Sequence, residues 1–221
     1  MFPSINAGIE SSSVEAQWTA PSLIPELPFP GTKEFGRLIQ VLEPYGLDAS
    51  KISVETPSNR VSDVELRIAL RAVDLDLSLL YTGFRIGTDR FLDSHREPIG
   101  KLAAITAALI LPSAGLVPGG KFSVRYHGHL RLNEGSRTDF LRSLLGHPSG
   151  LDPTGASFLF DPPTDANVAA SSVLVEHSKK IDGGLYVRCD VDFEAVGDLE
   201  SAAKRAFDTI AFGISSTGIV L

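Results

Sequence analysis

LVPGGKFSVRYHGHLRLNE, residues Leu116 to Glu134, decides how the rest of the chain is read. From Lys121 the side chains alternate. Phe122, Val124, Tyr126, Leu130 and Leu132 point one way; Lys121, Ser123, Arg125, His127, His129, Arg131 and Asn133 point the other. Period two over a dozen residues predicts a β-strand with one buried and one wet face. The wet face is cationic, although the whole chain carries a formal net charge of -7.

Working outward, Glu97–Pro98 opens a helix, since proline suits the first turn and a carboxylate suits its positive end. Ile99 to Leu111 is apolar almost all round, with Lys101 the only charge, so a helix buried on every side is expected, stopped by Pro112. It is too short to cross a bilayer. Leu116 and Val117 then sit between turn formers, either tucked under the sheet or offered to solvent. Upstream, Val64, Leu66, Ile68 and Leu70 alternate with polar residues, and Leu75, Leu77 and Leu79 do so in the opposite phase. The slip at Ala72–Val73 calls for a bulge or tight turn. Thr82–Gly83 and Ile86–Gly87 offer further turns.

Downstream, Arg137 to Leu145 has the length of a short helix. Val173 to Ser178 and Leu185 to Phe193 form the clearest hairpin, joined through an Asp182–Gly183 turn. Leu199, Ala202, Ala203, Ala206, Phe207 and Ile210 mark an amphipathic helix starting near Gly197–Asp198. Thr32 caps a short helix through Leu42. Residues 1–31 hold five prolines and no Lys or Arg, and are read as an extended Pro-rich arm ahead of a single domain spanning 32–221. The arm's apolar residues, among them Trp18, Leu23, Ile24, Leu27 and Phe29, either pack on that domain or dock on a neighbour. Strands in runs with helices between them give an α+β class with an antiparallel sheet packed by the central and C-terminal helices.

With 43% apolar and 21% charged residues the chain is of ordinary globular composition. The single cysteine, Cys189, excludes an internal disulfide and reads as a buried small hydrophobe, as in a reducing compartment. The N-terminus has no secretory pattern. No glycine-rich phosphate loop follows a strand, and no serine sits in a strand-turn-helix elbow, so nothing asks for an enzyme.

His127 and His129 share a strand face and could hold a metal with Glu134, but Arg125 and Arg131 would repel a cation, so neither metal nor cofactor is expected. The remaining readings are a solvated strand face and an anion-binding row of Lys121, Arg125, His127, His129 and Arg131, extended by Lys179 and Lys180 on the hairpin.

The order of parts resembles the matrix proteins of rhabdoviruses and related negative-strand RNA viruses. REPIGKLAAITAAL, LPSAGLVPGG and KFSVRYHGHLRL carry most of the likeness, and IDGGLYVRCDVDF with the helix after it carries the rest, over about half of the chain. The resemblance implies a non-enzymatic structural protein of the virion and host-cell cytoplasm. Such a protein self-associates, binds the viral nucleoprotein and RNA, contacts the anionic inner face of a lipid envelope and takes no small-molecule substrate. Leu116 and Val117 would match the membrane-touching loop, and the arm would match the segment docking on the next subunit. Two features depart from the family. The arm is acidic where the family's is commonly basic, and Pro162–Pro163–Thr164–Asp165 lacks the tyrosine of a Pro-Pro-x-Tyr budding motif. The alternative, from another class, is a soluble binding or chaperone-like scaffold engaging apolar peptides.

Overall fold

The structure is a computed structural model, which describes residues 4–24, 27–56, 60, 63–114, 120–146, 153–160 and 168–221. In chain order it contains β1 (Ile5–Thr19), α1 (Lys33–Leu42), β2 (Ser53–Glu55), β3 (Glu65–Leu70), β4 (Leu75–Leu80), β5 (Gly83–Thr88), α2 (Arg96–Ala114) and β6 (Lys121–Leu132). There follow α3 (Arg137–Leu145), β7 (Gly155–Leu159), β8 (Val168–His177), β9 (Leu185–Phe193), α4 (Leu199–Ser216) and β10 (Ile219–Val220). The strands form one sheet in the order β2-β3-β4-β5-β1-β6-β9-β8-β7, every neighbour antiparallel, with β10 added in parallel beside β1. Helices α2 and α4 pack on each other and on one face of the sheet's middle, α1 leans on α2, and α3 touches β7 and β8. The class is α+β with an antiparallel sheet, as the hydrophobic pattern predicts.

Alternation sets which face each strand buries. On β6, Phe122, Val124, Tyr126 and Leu130 lie in the core, and on β9 Leu185, Val187, Cys189, Val191 and Phe193 are completely buried. The β8–β9 hairpin forms, with Gly183 at φ 69. The phase slip after Leu70 is the β3–β4 turn, where Asp74 takes φ 49 and lets the buried face continue on β4. Thr82–Gly83 is a turn, between β4 and β5, whereas Ile86–Gly87 lies inside β5. Three helices are capped by side chains that their sequences supply: Thr32 accepts from the Phe35 N–H at 3.2 Å, Ser136 from Asp139 at 3.4 Å and Asp198 from Ser201 at 3.1 Å.

Helix α2 departs from expectation twice. It runs through Pro112 to Ala114, so the proline falls in the last turn and few helical bonds remain beyond it to disrupt. Nor is it buried on every side: Ile99, Leu102, Ala103, Thr106, Ala107 and Ile110 are, but Ala104, Ile105 and Leu109 are half-buried and Ala108 is exposed. Alanines cost little to expose, so apolar composition alone overstates burial.

The larger correction concerns the N-terminus. Ile5–Thr19 is no arm but the strand between β5 and β6, joining the two halves of the sheet. Of the five prolines that argued against a ladder, one is Pro3 and the other four begin at Pro21, so none lies in 5–19 to prevent pairing. Trp18 is 1% exposed and stacks on Phe84 with ring centroids 5.6 Å apart. Beyond the strand, Ala20 and Ile24 donate backbone hydrogen bonds to Thr82 and Tyr81. Phe29 rests 6.1 Å from the Tyr81 ring. The segment packs on its own sheet.

Candidate functional site

With α2 and α4 on one face, the opposite face of the sheet's middle is open among the described residues, and the side chains at odd positions of β6 and, past the bulge, at odd positions of β1 from Ser11 to Thr19 stand on it. There the cations of β6 meet acids from both neighbouring strands. Arg125 Nε donates to Asp190 at 2.6 Å, and Arg188 Nε donates to the other oxygen of Asp190 at 2.8 Å. Lys121 pairs with Glu194 at 2.9 Å, and Arg131 pairs with Glu10, the residue displaced by the bulge between Ile9 and Ser11. His127 Nδ1 meets the Tyr186 hydroxyl, and His129 Nδ1 lies 2.9 Å from Ser178 Oγ. The anticipated row of cations is therefore a lattice in which each Lys and Arg of β6 is ion-paired to an acid on β1, on β9 or just after β9, while the two histidines meet hydroxyls. Lys179 and Lys180 are exposed in the β8–β9 turn.

The lattice shifts the charges it holds. Burial, then the Arg125 guanidinium, push the His127 imidazole below its ordinary value; burial, then Lys180, do the same to His129. Both rings are thus biased toward the neutral form. The hydrogen bond to Asp190 raises the Arg125 pKa above its ordinary value. Burial raises the Asp192 carboxyl, and the charge of Asp190 adds to it.

On the other side of β1 lies a second knot. Glu65 is buried and accepts from Arg67 Nε at 2.8 Å and Arg85 Nη2 at 2.9 Å. Burial pushes its carboxyl up, but hydrogen bonds from Arg67 and Ser78 and the two guanidinium charges hold it below the usual range. Between the knots the open face sinks into a concavity of about 610 Å³, lined by Gly87 with Glu15, Asp76, Arg85, Arg125 and others. Gly87 pairs with Glu15 on one side and Asp76 on the other, so two carboxylates flank a position without a side chain. Among the described residues neither carboxylate has an ion pair or hydrogen bond. Burial and the nearby charge of Asp89 push the Asp76 carboxyl up. Sequence reasoning missed this site, because Glu15 lies on the strand taken for an arm. The visible signal was Asp76, the polar alternate between Leu75 and Leu77 on β4.

Other expected contacts lie elsewhere. Trp18, Ile24 and Leu27 are in the core, Phe29 packs against it, and Leu23, 62% exposed, is free of it. Leu116 and Val117 lie outside the described residues. Among the described residues no three His, Cys, Asp or Glu side chains gather as a metal site, and no helix is long and apolar enough to cross a membrane. The Cys189 thiol is pushed up to about 12, by burial first and then by the charge of Asp190.

Fold and face together define an α+β protein with a one-sided antiparallel sheet and an open, ion-paired surface. No protein-family model matches the chain, and no curated protein matches it. Among solved structures it is similar to a rolling circle replication initiator protein from Geobacillus stearothermophilus, with a TM-score of 0.30 and 9% identity over 91% of this chain and 80% of that one. It is also similar to Methanococcus jannaschii TBP, with a TM-score of 0.29 and 14% identity over 95% and 99% of the two chains. Likeness this slight says nothing of activity.

Proposed function

We propose that the chain is a non-catalytic binding module whose open sheet face receives a basic segment of another protein. The observation that supports this reading most is that Glu15 and Asp76, which flank Gly87 in the concavity, have no ion pair or hydrogen bond among the described residues. Arg85 and Arg125 are held by Glu65 and Asp190, so a phosphate would have to break an ion pair, whereas a lysine or arginine meets ready acceptors. The test is titration with a Lys/Arg-rich peptide and a Glu-rich peptide of equal length. Binding of the basic peptide alone, weakened by salt and by Glu15→Gln/Asp76→Asn, is the expected result. Equal binding of both peptides, or of neither, overturns it.

A matrix-like role, bridging a nucleoprotein and the inner face of an envelope, is the second reading. The outer stripe of α2, with Ala104, Ile105 and Leu109 half-buried and Ala108 exposed, favours it. Flotation with anionic vesicles, abolished by Ile105→Asp, is its expected signature. No flotation with any vesicle removes it.

A further inference from the structure

We propose that β7 is a self-association edge, pairing antiparallel with β7 of a second copy about a two-fold axis through Ser157. This surface is distinct from the open face.

The sheet ends in two strands of opposite character. At one end β2 is three residues long, with Lys51 just before it and Glu55 ion-paired to Arg67. Short, charged edges discourage further pairing. At the other end β7 reads Gly-Ala-Ser-Phe-Leu, without charge or proline, and Leu159 is 86% exposed. Among the described residues nothing pairs with its outer side. A flat, uncharged edge of this kind is a template for another strand.

The backbone determines which groups are available. Phe160 donates to Ser171 O and His177 donates to Thr154 O, so the even-numbered residues of this segment turn their N–H and C=O groups inward to β8. Antiparallel ladders alternate, so Gly155, Ser157 and Leu159 present theirs outward. Placing Ser157 opposite its own copy makes each outward residue a hydrogen-bonded partner, for about six new backbone bonds.

The side chains fit the same register. Leu159 falls opposite Gly155 on the open face, so the exposed large residue meets the smallest one. The strand is also anchored for the purpose, since the Phe160 ring at its end lies against Phe212 of α4, with centroids 6.1 Å apart. A second copy is the occupant the strand itself specifies, because its outward residues match their own reverse, Ser157 meeting Ser157 and Gly155 meeting Leu159.

Cysteine cross-linking tests the register, aided by the burial of Cys189, the chain's one native thiol. In the proposed pair the two Ser157 Cα atoms lie about 5.5 Å apart, within disulfide reach. The two Leu159 Cα atoms lie roughly 14 Å apart. Mild oxidation should convert Ser157→Cys to a covalent dimer and leave Leu159→Cys uncross-linked, while an equimolar mix of Gly155→Cys and Leu159→Cys cross-links. The unmodified chain should sediment at twice its 23.6 kDa. Leu159→Lys should return it to a monomer that still melts cooperatively, with a melting temperature that no longer rises with concentration, and Val54→Lys on β2 should leave the dimer intact. A chain that sediments as a monomer at every concentration, or self-linking by Leu159→Cys in preference to Ser157→Cys, overturns the proposal.

Discussion

Asp190 on β9 holds Arg125 on β6 at 2.6 Å and Arg188 on its own strand at 2.8 Å, one carboxylate oxygen to each. This carboxylate, only 17% exposed, offsets one of the two guanidinium charges it holds and ties β6 to β9 across the open face.

Asp190→Asn leaves two guanidinium groups facing a neutral amide. Both arginines are about half exposed, 51% and 44%, so water recovers part of the loss. The expected cost is about 1–2 kcal/mol in a urea melt at pH 7. The same change removes the charge that, after burial, raises Asp192, so the Asp192 carboxyl should titrate closer to 3.8 by NMR.

Much of this arrangement was visible in sequence, and the reason for each gap is specific. Strand β6, the β8–β9 hairpin and α4 were legible because large apolar residues repeat at the right period on one face. Strand β1 was not, because its core-facing residues include Ala7, Ser12 and Ala16, and the bulge at Glu10 breaks the phase. The cations of β6 were legible, but their partners were not. Asp190 is 65 residues from Arg125 and Glu10 is 121 from Arg131, and only the strand order brings them together. A charged face read from one strand is incomplete until its neighbours are known.

Trp18→Ala should cost about 3–5 kcal/mol, since it empties a completely enclosed site against Phe84. That is a large share of the roughly 5–15 kcal/mol that holds a domain folded. Deleting residues 1–31 removes β1 and should abolish the folded state altogether, read as loss of the cooperative thermal transition. Leu23→Ala, at a position 62% exposed, should be silent. A truncated chain that melts cooperatively would mean that β5 and β6 can close on each other without β1.

Gly83 begins β5 at φ 144, and a Cβ there would lie 1.9 Å from the Trp18 carbonyl oxygen. Backbone cannot yield as a flexible side chain can, so Gly83→Ala should destabilise by about 2 kcal/mol or more. Gly197 is the control, because a Cβ there would meet nothing within 4 Å and its φ is not positive. Gly197→Ala should melt within a degree or two of the parent.

Two of the carboxylates that line the concavity, Glu65 and Asp76, should respond to pH in opposite directions. Glu65, 7% exposed between Arg67 and Arg85, is held below its ordinary 4.5, so its ionised form stabilises the fold. That contribution is fully present above 4.5 and is lost as pH falls through the lower folded value. Glu65→Gln should therefore cost about 2 kcal/mol at pH 7, with the gap to the parent closing in acid. Asp76 is raised above its ordinary 3.8, by burial first and then by Asp89, so ionising it works against the fold. Asp76→Asn should melt slightly above the parent at pH 7 and together with it below 3.8, where the carboxyl is protonated both folded and unfolded. Denaturant melts of the parent and both variants from pH 3 to pH 7 measure the two slopes. If Asp76→Asn instead melts below the parent at neutral pH, Asp76 has a partner on the folded chain and is not free to receive one from outside.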